Sequence, residues 1–412
     1  MKRSKILLPL ILLAFFLRVW QLPAVPPGLW YDEAYYSMDA AWLLDGGPWQ
    51  LFFAGNNGRE PIFIYLQTLF IWIFGAQPFT SRLIGPLVGT LTVPLVYVLA
   101  RRLFREKNTP HPQTNYTLPS AIPHLQSTWL PYLTTAGLAS SYWHIVLSRS
   151  GFRAILLPLF AAFIFYAFWR GWQEKSFKFT VLAGLALGLS QYTYLAARVL
   201  PAVFVIFAMT WTILSWLSAR RRSSTPLTLH PPNLPILQSS NPPTLQPSSL
   251  PTLWLNLMII AVTSIVVFAP LGWVFYQDPT LFSARTGDVL FSPETPADLF
   301  RHLSDAIRLF IDSGDPGWRH NLPGRPMLGY LGWLGFWPGL IICLRWFRRP
   351  ACLFLLIALL TLFLPALFAV PPVHALRLSA LLPIYYIIFA LGLTTLAQLT
   401  LHASVRSLPV GR

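Results

Sequence analysis

Charge is what this sequence has least of. Asp, Glu, Lys and Arg together make up 11% of its 412 residues, under half of the roughly 25% usual in soluble domains. A chain so short of charge is not a soluble globular enzyme; it is a polytopic membrane protein. Cysteine is nearly missing as well. The two present, Cys343 and Cys352, flank one short basic loop and read as membrane-helix residues near the cytoplasm, implying neither a disulfide framework nor a metal site. Acids are outnumbered by bases, 14 to 30, for a net charge of +16. The bases do not gather into the single patch that nucleic acid needs. They fall in short clusters between apolar runs, as cytoplasmic loops do.

What the chain does have is apolar sequence, 55% of the whole. Runs able to span, or nearly so, cover 6–22, 82–101, 130–147, 154–170, 178–197, 199–217, 252–276, 327–345, 351–370 and 379–399. Met1-Lys2-Arg3-Ser4-Lys5 before Ile6–Leu17 imitates a secretory signal, but no small-x-small cleavage site follows, so an uncleaved first helix is expected. A shorter run, 61–75, decides the topology. If the N-terminus is cytoplasmic and 61–75 does not cross, the clusters at Arg101-Arg102, Arg170 to Lys178, Arg220-Arg221-Arg222, Arg345 to Arg349 and Arg406 to Arg412 all lie inside. If it crosses, every later cluster flips outward. The expectation is therefore an all-α protein with about ten spans, an interfacial or re-entrant helix at 61–75, and both termini on the cytoplasmic side of the plasma membrane.

The chain divides accordingly. Residues 1–103 hold the first span, an external loop with interfacial helices, and the second span. Residues 129–218 and 252–412 hold the remaining spans, with a long external loop at about 277–326. Two inserts, 104–128 and 219–251, are rich in Pro, Ser, Thr, Asn and Gln, nearly uncharged in their interiors and without period, and read as disordered cytoplasmic segments.

Polar chemistry collects on the outer face. Asp32 and Glu33 follow the first span directly, ringed by Trp30, Tyr31, Tyr35 and Tyr36. Asp32 ahead of Glu33–Leu44, with Gly46-Gly47 behind, is a good pair of helix caps. It is equally a rim carboxylate, basic enough to accept a proton from a hydroxyl. Glu60 either favours the dipole of the helix that Pro61 opens or is a second acid facing the same cavity. Arg149, Arg153, Arg198, Arg285, Arg319 and Arg377 sit at outer span ends. Each alone is explained by snorkelling or by pairing with an acid. Together they run against the positive-inside bias and point to an anion, for which a lipid phosphate fits. His320 and His374 lack ligand spacing and read as polar loop residues, and His144 as a packed helix residue.

Tyr31-Asp32-Glu33-Ala34-Tyr35-Tyr36, then Arg59-Glu60-Pro61-Ile62-Phe63-Ile64-Tyr65-Leu66, Phe74-Gly75 and Ser81-Arg82-Leu83, make the chain resemble family-39 glycosyltransferases of the GT-C superfamily. Relatives in that group include protein O-mannosyltransferases and aminoarabinose transferases. Arg101-Arg102-Leu103-Phe104, Tyr192-Thr193-Tyr194-Leu195-Ala196-Ala197-Arg198 and Arg319-His320-Asn321-Leu322-Pro323-Gly324 extend the resemblance over most of the chain outside the inserts. It implies a polyprenyl-phosphate sugar donor and a catalytic acid in the first external loop, here Asp32, with Glu33 beside it and Glu60 as a further acid. Arg59, Arg82, Arg149, Arg153, Tyr194, Arg198, Arg319, His320 and Arg377 are the candidates for holding lipid phosphate or sugar. Many relatives carry an Asp after the third span where this chain has Arg149 and Arg153, which argues against a divalent-metal mechanism. No cofactor or metal ligand is assigned, and a divalent metal is left open as the alternative.

The function expected is inverting transfer of a hexosyl or pentosyl group to a hydroxyl on a protein, lipid or polysaccharide, with Asp32 as general base. The rival is a transporter or lipid flippase. Transporters place ionisable groups near the bilayer midplane, whereas these span centres are almost free of charge.

Overall fold

A computed structural model describes residues 4–104, 128–223, 250–289, 291, 293–370 and 374–406. The inserts expected at 104–128 and 219–251 lie almost wholly outside the described residues. Lipid offers the backbone no hydrogen bonds, so an apolar chain must satisfy its own amides, and helices do this locally. The helices run α1 (Ser4–Val19), α2 (Tyr31–Leu44), α3 (Ile62–Phe74), α4 (Pro78–Leu103), α5 (Leu130–Ser140), α6 (Tyr142–Arg149), α7 (Leu156–Glu174), α8 (Phe177–Ser190), α9 (Leu200–Ser223), α10 (Leu250–Gln277), α11 (Pro279–Val289), α12 (Pro296–Ile311), α13 (Gly329–Arg345), α14 (Pro350–Leu367) and α15 (Leu382–Arg406). Short 3-10 turns at Arg153–Ile155, Leu195–Val199 and Ala375–Leu381 feed α7, α9 and α15.

Among the described residues, six stretches are long and apolar enough to cross a membrane: Pro78–Leu103, Arg153–Glu174, Leu195–Arg220, Leu250–Gln277, Pro350–Leu367 and Ala375–Thr400. This is a multi-pass membrane protein. Ile6–Val19, Ile62–Phe74 and Phe177–Ser190 are apolar but shorter. The 13 residues of α3 reach about 20 Å, against a hydrocarbon core of about 30 Å.

The run expected as one span at 130–147 is two helices. Ser141 leaves the helical region (φ −61°, ψ 113°), and its hydroxyl accepts the His144 amide at 3.2 Å. A serine side chain that offers the backbone an alternative partner stops one helix and caps the next.

Small residues let the spans approach closely. A Cβ built on Gly392 of α15 would stand 1.8 Å from the Gly335 carbonyl oxygen of α13. Aromatic rings fill the wider gaps, with Phe165, Phe168, Phe204 and Phe354 in mutual edge and stacked contact. The connecting segments meet at one end of the bundle. There the Ile62 amide donates to the Tyr192 carbonyl at 3.2 Å, the Ser379 hydroxyl donates to the Ala154 carbonyl at 3.2 Å, and Arg319 pairs with Asp32.

Candidate active site

The start of α2 separates the two adjacent acids. The N-cap is Trp30, in extended conformation, so the helix begins at Tyr31 and not after Asp32 as the sequence suggests. Asp32 and Glu33 thus occupy the first turn, where carboxylates complement the dipole. Glu33 takes over the capping, accepting the Trp30 amide at 2.8 Å. Consecutive helical side chains diverge by about 100°, so the neighbours face different surroundings. Glu33 is 1% exposed and pairs with Arg82 at 3.0 Å. Arg82 also donates to the Pro26 carbonyl at 2.6 Å and to that of Gly28. The expected C-cap holds: Asp45 ends the helix and Gly46 follows at φ +91°.

Asp32 faces a cavity of about 410 Å³ lined also by Phe152, Tyr194, Arg198, Phe282, Arg319, Leu364, Phe368, His374, Leu376 and Arg377. Its carboxylate accepts Asn56 Nδ2 at 3.1 Å and pairs with Arg319. The Arg319 guanidinium lies 4.8 Å from the Trp30 ring and 5.3 Å from that of Phe152. Arg198 donates to the Phe282 carbonyl at 3.3 Å, and Arg377 to that of Val370 at 3.0 Å. Three guanidiniums therefore share one largely apolar cavity with a single carboxylate, a field that draws anions.

Behind Arg319 the hydrogen bonds continue. Arg319 Nε donates to His320 Nε2 at 2.8 Å, which fixes the tautomer: His320 Nδ1 carries the proton and donates to Asp315 at 3.0 Å. Asp315 also accepts the amides of Gly317 at 2.8 Å and Ala375 at 2.7 Å. Burial opposes its ionisation, but His320 and these amides outweigh it and hold the carboxyl below the usual range. The His374 ring stacks on His320 with centroids 4.4 Å apart. Burial, reinforced by the nearby Arg377, pushes His374 well below the usual imidazole value.

Of the residues singled out in the sequence, Asp32, Tyr194, Arg198, Arg319 and Arg377 line the cavity, and His320 stands behind Arg319. The others are engaged elsewhere. Glu60 forms a buried ion pair with Arg153 at 3.0 Å, and Arg153 donates to Tyr36 Oη at 3.1 Å and the Gly58 carbonyl at 3.3 Å. Arg59 pairs with Asp39 and donates to the Gly55 carbonyl at 3.0 Å. Arg149 caps the end of α1 and the turn beyond it, donating to the carbonyls of Leu17 at 3.2 Å, Arg18 at 3.1 Å and Val25 at 2.8 Å. The Arg285 side chain lies outside the described residues. Sequence reasoning missed His374 as a lining residue and Asp315 as the partner of His320. His144 is packed as expected, but it also meets Arg18 at 2.8 Å, a buried arginine that the first apolar run conceals.

No family model and no curated protein matches this sequence. Solved structures do. ArnT from Cupriavidus metallidurans bound to undecaprenyl phosphate superposes with a TM-score of 0.58 at 15% identity, over 98% of this chain and 63% of ArnT. Archaeal oligosaccharyltransferase AglB from Archaeoglobus fulgidus, in complex with an inhibitory peptide and a dolichol-phosphate, gives 0.55 at 14% identity, over 100% of this chain and 52% of AglB. The chain thus spans less than two thirds of either protein's length. At such low identity the likeness speaks for architecture alone: the chain has a GT-C-like polytopic helical fold, shared with ArnT and AglB.

Proposed function

We propose that this protein is an inverting glycosyltransferase that moves a sugar from a polyprenyl-phosphate donor to an acceptor hydroxyl at the external face of the plasma membrane. The observation that carries the reading is one cavity shared by Asp32 and the guanidiniums of Arg198, Arg319 and Arg377. The lipid phosphates named with ArnT and AglB lend it support. The donor phosphate lies among the arginines, its tail against Phe282, Leu364 and Phe368. The acceptor oxygen attacks the anomeric carbon opposite the phosphate and gives its proton to Asp32. As that bond forms, the bond from the anomeric carbon to the phosphate oxygen breaks, and polyprenyl phosphate leaves with its charge neutralised.

Two contributions set the rate. General-base help is worth on the order of 10²–10⁴-fold, and a cationic donor to the leaving oxygen on the order of 10²–10³-fold. Arg319 holds Asp32; an arriving phosphate competes for that guanidinium and frees the base. Glu60 and Arg153 act in this scheme as a buried brace behind Tyr194. The transferred group is hexosyl or pentosyl, and the acceptor a protein, lipid or polysaccharide. Both termini and the inserts at 104–128 and 219–251 face the cytoplasm.

The test uses the purified chain in nanodiscs with a panel of radiolabelled polyprenyl-phosphate sugars. With water standing in for the acceptor hydroxyl and giving its proton to Asp32, polyprenyl phosphate is released from one of them, and Asp32→Asn slows the release by about 10²–10⁴-fold. Full release in that variant removes Asp32 from the mechanism. Donor carried across vesicle membranes with its glycosidic bond intact replaces the enzyme by a flippase.

A further inference from the structure

We propose that Asp315, His320 and His374 form a site for a divalent transition metal of the zinc type, clipping the external loop to the turn that carries Arg377. One ligand atom from each residue lies within 4.8 Å of the others. Tetrahedral coordination at about 2.0–2.1 Å sets ligand atoms about 3.4 Å apart, so the two rings, stacked with 26° between their planes, turn out of the stack and close by about an ångström to bring both lone pairs onto the ion. The site has the marks of one built for a ligand. His374 Nδ1 is buried with no hydrogen-bond partner among the described residues, a costly state that a metal bond relieves. The Asp315 carboxylate is oriented by the Gly317 and Ala375 amides, the outer support that ligating carboxylates usually have. Two imidazoles with one carboxylate suit zinc, whereas calcium and magnesium prefer oxygen alone.

Occupancy reaches the cavity. Coordination through His320 Nδ1 moves that ring's proton to Nε2, which then no longer accepts from Arg319 Nε. The ion therefore loosens Arg319 from His320 while fixing the loop on the turn Ala375–Leu381, which bears Arg377. This site does not depend on the glycosyl-transfer reading, since it is built from coordination geometry alone.

The test takes full-length protein without a histidine tag, stripped with chelator in detergent and titrated with zinc chloride by calorimetry and thermal unfolding. One equivalent binds and raises the unfolding temperature. His374→Gln keeps the volume and removes the ligand nitrogen; it gives up the stack on His320 but no hydrogen bond of Nδ1, so it folds and unfolds within a few degrees of the wild-type metal-free temperature. Its zinc affinity falls at least 100-fold, at or beyond the upper end for loss of an outer-shell group, and the thermal response to zinc disappears. No saturable equivalent in wild type, or equal affinity in His374→Gln, overturns the site. If that variant does not fold, the cobalt-substituted wild type decides. Tetrahedral nitrogen–oxygen absorption supports the site, and the spectrum of hydrated cobalt overturns it.

Discussion

Glu60 stands 3.0 Å from Arg153, with both side chains sealed from solvent, and removing either charge strands the other. Glu60→Gln therefore costs about 3–5 kcal/mol of stability, measured by denaturant unfolding in detergent. A variant that folds like wild type and loses only turnover would make Glu60 a reacting group instead. Asp32→Asn behaves the opposite way. Its pair with Arg319 is partly exposed, 24% on the aspartate side, so its loss changes stability by only about 0–1 kcal/mol. Residue types and positions at this scale were readable in the sequence, because charges at the ends of apolar runs stand out. Partners were not. Glu33 and Asp32 are parted by one step of helical rotation, and the sequence, by taking Asp32 as the cap, set that rotation wrongly. Arg59, Arg149 and Arg153 read as anion binders until the fold supplied Asp39, the α1 carbonyls and Glu60.

Among the elements, close packing of α13 on α15 carries the clearest consequence. The Gly392 position leaves no room for a side-chain atom beside the Gly335 carbonyl, and the Gly339 position none beside that of Ile388. Gly392→Ala must push the helices apart, costing about 1–3 kcal/mol by overpacking and lowering the thermal unfolding temperature in detergent. An unchanged temperature would mean that these helices do not touch as described. Long apolar runs made the helices legible, and Gly46 marked the end of α2. The break at Ser141 was hidden, because apolar residues continue on both sides and nothing local distinguishes a capping serine from one inside a span. The segment 277–326 likewise read as a loop, although it contains α11 and α12. Their mix of charged and apolar residues has no run long enough to register as a span.

At the scale of the whole molecule, the net charge of +16 is split between two uses. In the topology proposed above, the basic clusters between spans would set orientation, while three arginines are drawn into one cavity beside Asp32. That convergence unites segments far apart in the chain, which is why composition could suggest an anion site but could not choose its members. The Asp315–His320–His374 cluster is legible only at this scale, since two of its members share a loop and the third comes from a separate turn. The central claim is that Asp32 opens to the outside within a site that holds a lipid phosphate. It is tested most directly by Asp32→Cys in a chain whose buried Cys343 and Cys352 are replaced by alanine, using a membrane-impermeant maleimide on intact cells. The account predicts labelling from outside that slows when polyprenyl phosphate is supplied. Labelling only after permeabilisation, or at a rate indifferent to the lipid phosphate, would contradict it.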